Sequence, residues 1–416
     1  MESLKRTEKE TLTTFQKHRP SEYFSHIGSH DSFLVHHRKV ENLYRFGLNL
    51  PPEFFKEKKV IDLGAGTGEN TISLAKWGAS CTLVEMNSEA IERARKVFAE
   101  KLELNPLQEH SFICQSLFDI DLNLLQASFD ISHSRGVFTH VADKTGAFKI
   151  LSDLAKPGGY IIYGDRNTSG GVQEMLQRFA IYSLAKNLPM KTFDERVIYL
   201  AEALFEKDID RSQASVPRTR EAIIFDRWVI SQQDDPSVSD VLAMMRSNGL
   251  QYVSSWPRID FAGRGESTYT SPINWNNLEN GAKTIELMWM LLNHGESENL
   301  ESFIPQVGAE EFFNHTTKVS NRLRNLKNAS NLSGKVISED FVNWGKLGKL
   351  TFESQPNIAQ RLKIFAMEVG VFLSSVEQEK PLGEIRKLVD SFEILFQNFA
   401  GVRHVDYLAY KPESNE

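Results

Sequence analysis

Between residues 59 and 164, short apolar runs alternate with amphipathic ones. "KVIDL", "CTLVE", "SFICQ", "FDISHS" and "YIIYGD" are brief and nearly continuous in hydrophobicity, as strands covered on both faces are. Between them, "NTISLAKWG" closes on Gly78, and a longer run opening after Ser88 sets Ile91, Ala94, Val97 and Phe98 on one helical face. This alternation predicts a doubly wound parallel sheet with right-handed crossovers. Ligands of such sheets sit beyond the carboxyl ends of the strands.

Further along, the period changes. Ile358, Leu362, Phe365, Val369, Phe372 and Val376 recur at helical spacing, and Ile385, Leu388, Val389, Phe392, Leu395 and Phe396 do so again after Pro381. "TIELMWMLLNHG" and the stretch from Gly171 to about Glu206 also read as helical. These helices are expected to pack as core or against a second copy of the chain, with a substrate-shaping lid as the alternative.

Composition narrows the picture. At 416 residues, 41% hydrophobic and 25% charged, the chain exceeds one ordinary core, so one elaborated domain or two domains are expected. With 48 basic against 55 acidic side chains the net charge is −7, which favours no polyanionic partner. The N-terminus mixes charges without an apolar run, and no segment reaches the length of a membrane span, so a soluble, cytoplasmic protein is expected. Cys81 and Cys114 each sit in an apolar run and are expected to be small buried hydrophobes.

The candidate chemistry lies in "VIDLGAGTGENT", Val60 to Thr71, where an apolar run breaks into Gly64, Gly66 and Gly68 and then into a helix. A direct strand-to-helix turn that lets a ligand touch its main chain requires missing Cβ atoms. A nicotinamide dinucleotide would call for G-x-G-x-x-G/A, but the third small position here is Glu69, whose carboxylate would repel a pyrophosphate at the helix start. Glu85 in "LVEMN" ends the second strand about 20 residues after the first glycine, where a carboxylate can accept both hydroxyls of a ribose.

These motifs resemble those of the class I S-adenosylmethionine-dependent methyltransferases. "VIDLGAGTG" is similar to that family's first motif, "FDISHSRGVFTHVAD" to its fourth-strand segment, and "LAKPGGYIIYG" to its proline-glycine turn into the fifth strand, where Pro157, Gly158 and Gly159 shape the chain. The resemblance implies an α/β, Rossmann-like, seven-stranded sheet binding S-adenosylmethionine and releasing S-adenosylhomocysteine. Its cofactor site would comprise Asp62, Gly64, Ala65, Gly66, Gly68, Glu85, Met86, Ser116, Leu117 and Ser134. The family's acidic residue after the third strand is replaced here by Ser116, leaving Ser116 and the Leu117 backbone, or Asp119, to meet the adenine. The leading helix is implied to fold over the cofactor with Tyr23, Phe24 and His36.

"FDRWVISQQDDPSVSDVLAMMRSNGLQYVSSWP" is similar to a segment of a poorly characterised bacterial branch of that family. Ser237 and Asp240 would open a helix as a capping pair, Gly249 would end it, and "LQYVSSW" would be a sixth strand. "VDYLAYKP" is the candidate for the antiparallel seventh. The organisation expected is then a helical cap over 1–58, a methyltransferase core over 59–257 with a helical substrate cover at about 170–230, a helical insertion over 258–400, and the last core strand within 401–416.

Methyl transfer asks the protein to align an acceptor lone pair with the methyl carbon, exclude water, and remove a proton where the acceptor is a hydroxyl. His140 and His133, near the end of the fourth strand, are the candidate bases, and Arg135, Arg166 and Asn167 the candidate acceptor-binding residues, the arginines suiting an anionic acceptor. Asp165 also follows the fifth strand. No metal is expected from His26, His30, His36 and His37, which lack ligand spacing. The expected function is in-line transfer to oxygen or nitrogen of a small-molecule acceptor. RNA, nucleotide or protein methylation is the alternative, and a non-catalytic or nicotinamide-dependent Rossmann protein a further one.

Overall fold

The structure is a computed structural model describing residues 2–18, 30–102, 109–215, 218–230, 234–260, 274–291, 309–324, 333–397 and 404–413. Its backbone divides into two units, Met1–Arg166 with Ile230–Ala282 and His404–Glu416, and Asn167–Val229 with Lys283–Arg403.

The first unit is built on one sheet of β1 (Lys59–Leu63), β2 (Ser80–Glu85), β3 (Ser111–Cys114), β4 (Phe129–Arg135), β5 (Ala155–Arg166), β6 (Gln251–Trp256) and β7 (His404–Tyr410). Their order is β3-β2-β1-β4-β5-β7-β6. The first five run parallel, and β7 enters antiparallel between β5 and β6. This is the doubly wound sheet that the alternating pattern predicts, with the C-terminal strand inserted between β5 and the edge strand β6.

Burial explains the pattern. β1 is buried at every position after Lys59, because helices cover both faces of a parallel sheet. The helices Thr71–Lys76 and Ser88–Lys101 set Ile72, Leu74, Ile91, Ala94 and Phe98 against Val60, Cys81 and Leu83, each side chain contributing about 1.5–3 kcal/mol if large and fully buried. The predicted helix between Ser237 and Gly249 is present as Val238–Ser247, opened by a capping box of Ser237 and Asp240. Gly249, at φ +67°, follows its end.

Three local expectations are corrected. Pro157, Gly158 and Gly159 belong to β5 itself, where the register with β4 shifts and Gly158 N–H donates to the Lys411 carbonyl at 2.8 Å. Cys114 is exposed, because β3 is the edge strand of the sheet, whereas Cys81 is buried. The helix after Pro381 stops at Ser391, short of the periodic residues Phe392, Leu395 and Phe396.

The second unit is helical where described. Thr168–Ala185, Phe193–Ser215, Ala309–Arg324, Gly334–Thr351, Pro356–Glu377 and Leu382–Ser391 are its longer helices. Glu368 explains the early stop after Ser391: its buried carboxylate accepts the N–H groups of Glu393, Ile394 and Leu395 at 2.5, 3.1 and 2.7 Å, so the chain turns instead of continuing the helix. Phe396, at φ +64°, donates its N–H to Gln173 at 2.5 Å. Among the described residues no helix is long and apolar enough to cross a membrane.

Candidate active site

The glycine loop leaves β1 at its carboxyl end. Gly64, Gly66 and Gly68 have φ of +71°, +57° and +82°, all left-handed. The Gly64 and Ala65 N–H groups donate to the Val84 carbonyl at 2.8 and 3.1 Å, which folds the loop back over β2. A Cβ on Gly64 would approach Val137 to 2.5 Å, whereas beside Gly66 the nearest atom is Glu69 Oε2 at 4.0 Å. Open space next to the bare Gly66 backbone is what a ligand touching the main chain requires.

Glu85, half-buried at the end of β2, faces this loop. Its Oε2 accepts from Gly66 N–H at 2.9 Å and its Oε1 from Asn87 N–H at 2.8 Å. Burial pushes its pKa up, and the N–H groups of Asn87 and Gly66 work against that shift. Met86 is half-buried beside it. Ser116 starts the 3₁₀ turn Leu117–Asp119, with its hydroxyl accepting from Phe118 N–H at 3.2 Å and donating to Glu8 of the helix Glu2–His18. Leu117 is buried and Asp119 exposed. Glu8 was not among the sequence candidates, because nothing in residues 2–18 marks it as reaching the end of β3.

Beneath the loop runs a buried polar chain. Asp62 and His133 are register partners on β1 and β4, and His133 Nδ1–H donates to Asp62 Oδ1 at 2.8 Å. The Tyr44 hydroxyl donates to His133 Nε2 at 2.8 Å, and Thr71 donates its hydroxyl to Asp62. His133 is fully buried with both ring nitrogens engaged, so the expectation that it serves as a base is replaced by a role in holding Asp62 and the loop helix in place. Ser134 is likewise buried and donates to the Leu63 carbonyl at 3.0 Å, which ties β4 to β1.

Arg135 differs from its sequence reading in the same way. Its Nε and Nη2 donate to the two carboxylate oxygens of Asp406 at 2.5 and 3.1 Å, and its Nη1 to Asn70 Oδ1 at 2.8 Å. With its charge matched by Asp406, it is not an open anion site. Asn167 is fully buried and caps the helix Thr168–Ala185, its Oδ1 accepting from Ser169 and Gly170 N–H at 2.9 and 3.2 Å. The cap engages its oxygen, and its Nδ2 is buried with no hydrogen-bond partner among the described residues.

His140 ends the 3₁₀ turn Phe138–His140 after β4, half-buried, with its ring edge-on to Phe15 at 5.3 Å between centroids. Arg166 sits at the end of β5 with its Nε 3.6 Å from Asp235. His36 Nε2–H donates to the Glu69 carbonyl at 3.1 Å, so the helix His30–Asn42 touches the glycine loop. Burial lowers the His36 pKa, the Glu69 carbonyl opposing and Arg135 adding to the shift. Tyr23, Phe24 and His26 lie outside the described residues. Among the described residues no three His, Cys, Asp or Glu side chains group as metal ligands.

Comparison with known proteins bears on this geometry. A family model described as a methyltransferase domain matches residues 54–215. The matched span contains strands β1 to β5 of the sheet described above. The chain is 28% identical over 140 residues to a ubiquinone biosynthesis O-methyltransferase of Shewanella pealeana, covering 33% of this chain and 55% of that protein. It is 27% identical over 143 residues to a dimethylglycine N-methyltransferase of Parasynechococcus marenigrum, covering 33% and 50%. The chain thus spans about half the length of the curated relatives it matches. Among solved structures, the magnesium protoporphyrin IX methyltransferase of Synechocystis with bound SAH aligns over 53% of this chain and 76% of that one, at 16% identity and a TM-score of 0.31.

Proposed function

We propose that the chain transfers a methyl group from S-adenosylmethionine to oxygen or nitrogen of a small-molecule acceptor. The observation that carries this reading is the pairing of Glu85 with Gly66, a carboxylate and a bare backbone N–H at 2.9 Å. The Glu85 carboxylate would accept the ribose hydroxyls, Gly64, Ala65, Gly66 and Gly68 would lie against the amino-acid end, and Met86, Ser116 and Leu117 would flank the adenine. When bound, the cofactor supplies a methyl group on a sulfonium that carries its own leaving group. The protein's part is alignment and exclusion of water, with His140 as the base where the acceptor is a hydroxyl and Arg166 as a contact for a polar acceptor.

A net charge of −7 supports a small acceptor over a nucleic acid. We extend the reading to a cytoplasmic protein. Residues 258–400 would act as an accessory segment through which two copies pair, using apolar exposed positions such as Met367 and Val371, one helical turn apart.

The test uses methyl-labelled S-adenosylmethionine with the full chain and a cell extract separated into small-molecule, RNA and protein fractions. Label entering the small-molecule fraction supports the reading, and label entering only RNA or protein replaces it with the corresponding alternative.

A further inference from the structure

Two carboxyl groups and one hydroxyl meet under the turn that follows β4. Asp165 of β5 accepts the Thr139 backbone N–H at 3.0 Å and the Thr139 hydroxyl at 2.6 Å. It takes a third bond from Arg166 N–H at 2.7 Å. Asp235, just before the helix Val238–Ser247, sets its Oδ1 3.0 Å from the same Thr139 hydroxyl. Thr139, Asp165 and Asp235 are 1%, 2% and 5% exposed. The backbone of the Asp235 segment docks on the same turn, Asp234 N–H donating to the Thr139 carbonyl at 3.0 Å.

A hydroxyl has one proton to give. Asp165 receives it at the shorter distance, and the three donors converging on Asp165 make it the acceptor of the two acids. The contact from Asp235 then closes as a hydrogen bond only when Asp235 brings a proton of its own and donates it to Thr139 Oγ. We propose that Asp165 and Asp235 share one proton through Thr139, and that this proton-sharing pair positions the turn carrying His140. Asp235 and Thr139 act as positioning residues, not catalytic ones.

The charges around the pair agree with one proton between two acids. Arg166 Nε lies 3.6 Å from Asp235, and Lys144 pairs with the adjacent Asp234 at 3.0 Å. Tyr163 faces Asp165 from within β5. Burial raises the Asp235 pKa and the neighbouring Asp165 adds to the rise, while Arg166, the Thr139 hydroxyl and Lys144 oppose it. Protonating one of two adjacent buried carboxyl groups removes their mutual repulsion.

That the turn matters for chemistry rests on the methyl-transfer reading; the shared proton does not. The test is thermal and chemical unfolding of the full chain, without cofactor, from about pH 5 to about pH 9, for wild type and Asp235→Asn, whose amide donates in place of the proton. A carboxyl with a raised folded pKa contributes stability that is complete below its unfolded pKa and is lost as pH rises through the folded one. The wild-type folding constant is therefore expected to fall relative to Asp235→Asn with rising pH, by up to about tenfold per pH unit inside that window. A difference that does not change with pH, or that grows in favour of the wild type as pH rises, overturns the shared proton.

Should Asp235→Asn fail to fold, titration of carbon-13-labelled aspartate in the wild type decides. A buried aspartate titrating above the ordinary range is expected, and all aspartates titrating within or below it overturns the proposal. In turnover, Asp235→Asn should remove a decline in kcat over the same pH window while leaving the cofactor Kd unchanged. A kcat profile the variant does not alter overturns the positioning role. Failure of the wild type to bind S-adenosylmethionine sinks the methyl-transfer reading alone.

Discussion

Arg135 on β4 and Asp406 on β7 meet across Gly164 of β5, the residue that both of them register against. Their two hydrogen bonds, at 2.5 and 3.1 Å, pass where a side chain on β5 would stand: a Cβ on Gly164 would lie 2.1 Å from Asp406 Oδ1 and 3.1 Å from Arg135 Nε. Arg135 also reaches Asn70, the residue that opens the helix after the glycine loop. The last strand of the chain is thereby tied to the loop that would hold the cofactor.

Removing the negative charge should be severe. Asp406→Asn leaves a largely buried guanidinium uncompensated and is expected to cost about 3–5 kcal/mol, read from urea unfolding. The effect is pH-dependent. Burial alone would raise the Asp406 pKa, but Arg135, with help from His404, holds it well below the usual carboxylate range. A depressed carboxylate contributes stability above its unfolded pKa and loses it as pH falls toward the folded value. Wild type should therefore lose its advantage over Asp406→Asn below about pH 4. A difference constant across that range would show that Arg135 and Asp406 are not coupled.

In the helical unit, Glu368→Gln should destabilise by about 1.5–3 kcal/mol, the range for hydrogen bonds to a charged acceptor, since an amide turns one donor toward three N–H groups. Hydrogen exchange at Glu393, Ile394 and Leu395 should quicken in the variant. Unchanged protection at those amides would mean that the turn is held by packing of Phe392 and Phe396 alone.

Much of the first unit is legible in the chain, because strands buried on both faces and helices buried on one leave opposite hydrophobic periods. Ser237 and Asp240 likewise announce their capping box locally. The polar partners are not legible. Arg135 finds Asp406 271 positions away, and His133 finds Tyr44 89 positions away. Both arginine and histidine therefore read as available for chemistry when taken alone. Two signals point the other way: Gly164 inside an apolar strand marks a close approach, and Asp406, a single charge in "HVDYLAY", requires a buried partner. Glu8 carries no such mark, since it is one of several charged residues in a helix that is mostly polar.

Glu85→Ala should weaken S-adenosylmethionine binding by about tenfold or more, a loss of about 1.4 kcal/mol or more, measured by calorimetry. Because burial raises the Glu85 pKa, its protonation should begin above the ordinary glutamate range, and wild-type affinity should decline on acidification before pH reaches about 4.3. The variant should lack that decline. Wild-type affinity independent of pH across the acidic range, or a variant that binds as well as wild type, would remove Glu85 from the ribose site.

The two histidines near the end of β4 separate structure from chemistry. His133→Ala strands the buried Asp62 carboxylate and Tyr44 hydroxyl, so it should cost about 3 kcal/mol or more in stability. Whatever fraction remains folded should turn over normally once the cofactor loop is occupied. His140 is half-buried at a turn with its ring against Phe15, and His140→Ala should cost clearly less stability than His133→Ala. If His140 takes the acceptor's proton, kcat should fall by about a hundredfold or more with the cofactor Kd unchanged. The paired measurement is therefore unfolding free energy and kcat for both variants. A stable His133→Ala would dissolve the buried chain from Thr71 to Tyr44. A fully active His140→Ala would leave alignment and water exclusion as the whole of the protein's contribution to methyl transfer.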